Sequence, residues 1–132
     1  MIKYTVYISA IALLCCLASC KSAIKPEELY GRWKYIKIEH PNADPPEMPA
    51  AQLQSESPSI EFSKNNEYEI IWGGKILSHG KFRADGMNIQ IKESLPDGTT
   101  REFPFWVSEL TDNEIVFETK GEDGSKVTAV KE

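Results

Sequence analysis

Covalent and acid–base chemistry needs nucleophiles, bases and metal ligands brought together, and this chain of 132 residues holds few of them. Its three cysteines, Cys15, Cys16 and Cys20, all fall in the first twenty residues, and its two histidines are His40 and His79. A metal site wants several His, Cys or carboxylate donors converging on one point; two separated imidazoles without a nearby thiol do not supply that set. No G-x-S-x-G elbow is present. Gly73-Gly74 lacks the lysine and the following helix of a phosphate-cradling loop. Glu67 and Glu69 share one face of a strand, which is the spacing of a carboxylate pair and equally that of a solvated strand face. The one side chain placed for covalent chemistry is the thiol of Cys20, which follows the small residues Ala18 and Ser19.

The residues ahead of Cys20 give that thiol a meaning. Lys3 precedes an apolar run from Val6 to Leu17, and Leu17-Ala18-Ser19-Cys20 closes it. A run this short is too brief for a membrane-spanning helix, which needs about 20 residues; it suits the apolar region of a secretion signal. The order resembles a bacterial lipoprotein signal peptide with its lipobox. The resemblance implies that residues 1–19 are removed, that the Cys20 thiol takes up a diacylglyceryl group, and that the new amino terminus is acylated, palmitate being a typical chain. Two or more chains anchor a protein stably where one does not. An ordinary cleaved signal that happens to contain Cys20 is the alternative. Lys21 follows the acceptor where an aspartate would favour inner-membrane retention, so the expected location is the cell envelope, at the outer membrane where the cell has one. Residues 20–28 read as lipidated cysteine and tether.

Removal of residues 1–19 from 132 leaves 113, enough for one small domain. Lys3 is the only charge removed, so the net charge goes from −5 to −6. Acidic and basic residues are interleaved throughout, which argues against a nucleic-acid surface, since that requires clustered Lys and Arg. Membrane attachment would therefore rest on acyl chains. Residues 29–132 contain no cysteine, so the core must hold this fold without disulfides.

From residue 29 the chain reads as strands cut by turns. The first covers residues 29–40, with Trp33, Tyr35, Ile36 and Ile38 among charges. Further alternating runs cover 59–63, 67–72, 75–84, a stretch around Met87, Ile89 and Ile91, then 100–110, 114–120 and 125–131. Asn65-Asn66, Gly73-Gly74, Asp85-Gly86 and Asp97-Gly98 are turn signals. Eight short strands with two- to four-residue turns predict an all-β antiparallel meander, and closure into an eight-stranded barrel would remove the exposed edges. A barrel of eight strands has an interior filled by side chains or holding one small ligand. Gly80 inside a strand predicts a bulge or a close approach, and Pro104 a bulge or break. The one long connection, residues 41–58, is proline-rich and contains one helical turn at 50–54. It reads either as a lid over a barrel mouth or as a solvated excursion. A membrane-spanning barrel does not fit, because Glu, Lys and Asn occupy the positions that would face lipid.

The aromatic residues remain as candidate binding groups. Tyr68, Trp72, Phe82, Phe103 and Phe105 point inward if the alternation holds, and would then either line an apolar cavity or pack the core. In strand 100–110, Trp106 competes with Phe103 and Phe105 for the inner face.

Leu29-Tyr30-Gly31-Arg32-Trp33 resembles the Gly-x-Trp element that opens lipocalin barrels. Residues 59–66, Gly80-Lys81-Phe82 through Asp85-Gly86, and residues 109–116 resemble stretches of bacterial lipocalin-like lipoproteins. Thr111-Asp112-Asn113 keeps two residues of the family's Thr-Asp-Tyr element. The resemblance covers most of residues 29–130. It implies a structural floor at Gly31 and Trp33, a lid in the loop after the first strand, and a non-enzymatic protein binding a small apolar or amphipathic ligand without a cofactor or metal. The competing expectation is an interaction or structural lipoprotein with a filled barrel, holding a protein partner through its loops.

Overall fold

The computed structural model describes residues 23–121 and 124–132. The signal segment and Cys20 lie outside the described residues. Eight strands, β1 (Gly31–Glu39), β2 (Ser59–Phe62), β3 (Glu67–Trp72), β4 (Lys75–Asp85), β5 (Asn88–Ser94), β6 (Thr100–Leu110), β7 (Glu114–Glu118) and β8 (Lys126–Lys131), form a closed barrel in sequence order. Every neighbouring pair is antiparallel, and β8 returns to β1 through Trp33 opposite Lys131 and Ile38 opposite Val127. The ladder closes entirely within residues 31–131, so the barrel is complete without the signal segment.

Alternation decides which residues fill it. Trp33, Ile60, Phe62, Tyr68, Phe82, Ile89, Ile91 and Ile115 are buried inside, while Arg32, Glu61, Glu67, Lys81 and Arg83 project outward and pair across strands at the surface. Such exposed pairs add little stability. Among the described residues no helix is long and apolar enough to cross a membrane.

Three ladder irregularities shift the alternation. One lies between Tyr35 and Lys37 in β1, one between Ile70 and Ile71 opposite β4, and one between Val107 and Glu109 in β6. The first turns Ile36 out to solvent while Ile38 stays inside. The expected irregularity at Pro104 is absent: Pro104 faces Gln90 in unbroken register. The Val107 N–H donates to the Met87 carbonyl at 3.1 Å, so odd-numbered residues of β6 direct their N–H groups to β5 and even-numbered ones away from it. Pro104 therefore lacks its N–H on the β7 side, and β7 has ended at Glu118, opposite Trp106. No ladder donor is lost.

The segment read as a tether is folded from Ile24 onward. Ile24 is buried and its N–H donates to the Gly86 carbonyl at 2.8 Å. A single helical turn, α1 (Pro26–Leu29), then drives Leu29 fully into the core. Pro26 suits the first turn, where its missing N–H has no partner to lose. The loop 41–58 divides in two. Residues 41–47 are exposed, as a solvated excursion would be. The rest folds onto the rim: the Met48 N–H donates to Ile38 O at 2.9 Å, and helix α2 (Ala50–Glu56) buries Leu53. Ser57 in the left-handed conformation ends α2, and the Gly73 N–H ties its last carbonyl to the β3–β4 turn at 2.7 Å.

Candidate functional site

The two ends of the barrel differ. At one end Trp33 is fully buried, and its indole N–H donates to the Leu29 carbonyl at 2.8 Å. The Lys131 ammonium stands 4.8 Å from the Trp33 ring centroid on the neighbouring strand. Gly31 begins β1 with φ +118, and an added Cβ would come within 2.9 Å of the Lys131 side chain. Trp33, Leu29 and Ile24 thus close this end, with Phe62 and Phe82 stacked edge-to-face at 4.8 Å in the filled core.

The other end is open. Between the rim of β1, the β3–β4 hairpin and the start of β8 lies a cavity of about 200 Å³. Tyr35, Ile38, Ile70, Trp72, Leu77, Phe105, Phe117 and Val127 line it, with His40 and Met48 at the lid side and Thr119 and Ser125 at the β7–β8 turn. Phe105 lies against Phe117 at 4.8 Å between ring centroids. Burial raises the Tyr35 phenol well above its ordinary value of 10.0, and neighbouring Tyr68 adds to the shift.

The five aromatics singled out from sequence go to different places. Trp72 and Phe105 line this cavity. Phe82 packs in the filled core instead. Tyr68 is buried, but its hydroxyl pairs with Ser78 Oγ at 2.8 Å in a polar chain. Phe103 faces a lateral cleft between β6 and the β7–β8 turn. Trp106 is 39% exposed on the outer face, which settles the competition in favour of Phe105 and Phe103.

The polar chain was missed. Ser78 donates to one oxygen of Glu93, and Arg101 Nη2 donates to the other at 2.6 Å. Glu93 is one of only two buried polar or charged residues described. The alternation Ile89, Ile91, Glu93 held the signal, since it carries Glu93 to the inner face. The β4–β5 ladder stops at Gly80 opposite Glu93, and the Ser78–Glu93 hydrogen bond holds the two strands together beyond it. Gly80 stands between Tyr68 on one side and Glu93 on the other. An added Cβ there would run into the Lys92 carbonyl oxygen, so the expected close approach is what this glycine provides. Burial raises the Tyr68 phenol; the Ser78 hydrogen bond opposes this, the Glu93 charge reinforces it, and Arg101 again opposes it.

The remaining sequence candidates lie outside the barrel. Glu61, Glu67, Glu69, His79 and Lys81 border a polar outer groove of about 380 Å³. Among the described residues no three His, Cys, Asp or Glu side chains converge as a metal site.

Neither a protein-family model nor a curated protein matches this chain. A similar solved structure is that of a lipocalin-like protein from Bacteroides uniformis, with 16% sequence identity and a TM-score of 0.56, covering 80% of this chain and 99% of that one. At that identity the likeness establishes the fold: a closed, eight-stranded, antiparallel lipocalin-like barrel.

Proposed function

We propose that this protein is a lipid-anchored envelope protein that carries a small apolar or amphipathic molecule in the mouth of its barrel. The observation that supports this reading is the cavity of about 200 Å³, bounded almost entirely by aliphatic and aromatic side chains at the one open end. A volume below the roughly 300 Å³ of common ligand pockets sets a small ligand, or only the tail of a larger one. Anchoring rests on the Leu17–Cys20 pattern. Ile24 is fixed at the floor, and four residues of extended chain reach at most about 14 Å. On this reading Cys20 holds the floor toward the outer membrane and the mouth turns away from it.

The test for the carrier role is calorimetric titration of residues 21–132 with octanol, with Trp72 fluorescence as a second readout. Saturable binding that is lost when Val127→Trp fills the cavity supports the role; no saturation contradicts it. Labelled palmitate incorporated by the wild-type cell and absent from Cys20→Ala tests the anchor. A second reading follows from the filled lower barrel: a non-enzymatic interaction or structural lipoprotein that meets a protein partner through its loops, α2 among them. A chain that binds no octanol would favour it.

A further inference from the structure

β6 is longer than its neighbour. Residues 107–110 and Trp106 pair with β7, but the ladder ends at Glu118, and residues 100–105 continue with no β7 partner. The step opens a lateral cleft of about 510 Å³ between β6 and the β7–β8 turn, bordered by Arg101, Phe103, Pro104, Trp106, Thr119 and Lys120. An open strand edge invites another strand, but Pro104 removes a donor from its middle, so the cleft is poorly made for strand addition.

Its chemistry suits a different occupant. Two cations border it, each resting on an aromatic ring. The Arg101 guanidinium lies 5.3 Å from the Phe103 centroid, and the Lys120 ammonium 5.1 Å from that of Trp106. Glu93, buried in the barrel wall, holds Arg101 through one nitrogen. A guanidinium has five N–H donors, and the Arg101 side chain is 64% exposed. Glu102, at the outer lip, is paired in register with Lys92. Thr119 borders both the cleft and the inner cavity, and Phe103 in the cleft sits 5.6 Å from Phe105 in the cavity. The apolar cavity and the cationic cleft are therefore adjacent compartments.

We propose that the cleft is the head-group site for the ligand of the inner cavity, and that this ligand is an amphipathic carboxylate whose tail enters past Phe103. The inference rests on the carrier reading and adds the charge of the ligand to it. A cavity of about 200 Å³ equals roughly seven waters at 30 Å³ each. A methylene is of similar size, so a medium-length chain fits.

The test compares octanoate with octanol, two probes of equal tail, by titration calorimetry on residues 21–132. Wild type should bind octanoate about tenfold tighter, as expected for a charge-assisted hydrogen bond, and higher salt should shrink the preference. Lys120→Gln and Arg101→Gln should each bring the ratio toward one while octanol affinity holds. Lys120→Gln removes no buried partner, so it remains informative if Arg101→Gln fails to fold. Equal affinities in wild type, or a preference that survives both substitutions, would overturn the head-group site and leave the carrier role standing. Failure of both probes to bind would overturn the two together.

Discussion

Replacing Trp33 by alanine tests whether the closed end of the barrel is a floor. The side chain is fully buried, and its indole N–H holds the Leu29 carbonyl at 2.8 Å. Burying an aromatic of 150–250 Å² at about 25 cal/mol per Å² gives an upper figure of roughly 4–6 kcal/mol. Large-to-small aromatic substitutions in cores cost about 3–5 kcal/mol, cavity included. The hydrogen bond is part of that loss, at about 1 kcal/mol. Trp33→Phe keeps most of the ring volume and loses the hydrogen bond, so it should cost about 1–2 kcal/mol. For a domain of this size each kcal/mol moves the melting midpoint by roughly 4 °C, so Trp33→Ala should melt some 12–20 °C below wild type. Urea denaturation of residues 21–132 gives the free energies directly. Trp106→Ala serves as the control: that ring is 39% exposed, with only Lys120 over it, and should cost about 1 kcal/mol or less. Equal, small effects at Trp33 and Trp106 would refute the floor.

Gly80→Ala should destabilise the barrel by about 1–3 kcal/mol, because the added methyl meets the backbone of β5 rather than a movable side chain; urea denaturation at wild-type stability would show that β4 can back away. Tyr35 and Tyr68 both ionise at higher pH folded than unfolded, since burial disfavours their charged forms. Their contribution to stability is fully present below pH 10 and is lost as the pH rises beyond about 10, where the unfolded chain ionises first. Denaturation across that range should show the decline, with a shallower slope in Tyr68→Phe; equal slopes would mean that Tyr68 titrates normally.

Most of the barrel was legible because alternation and turn chemistry are local. Ile60 and Phe62, Ile89 and Ile91, and the Gly73-Gly74 and Asp85-Gly86 turns state their roles within a few residues. What escaped was set by neighbours distant in sequence. Phe82 meets Phe62 in the filled core, and nothing in Gly80-Lys81-Phe82 says so. Pro104 is harmless only because β7 stops at Glu118, a length that β6 does not encode. α1 replaced an expected tether because Ile24 finds the Gly86 carbonyl. Glu93 was visible in the inward alternation, yet its partners Ser78 and Arg101 come from two other strands. The lid is half right: a proline-rich loop announces itself by length, while the burial of Leu53 depends on the rim it reaches.

The central claim is that the open end of the barrel holds a small molecule. Native mass spectrometry of the protein, released gently from its own envelope, tests it most directly. The account predicts a complex heavier than the bare chain that loses a small amphipathic acid on denaturation. A bare mass that does not change when a mixture of fatty acids and sterols is added would contradict it.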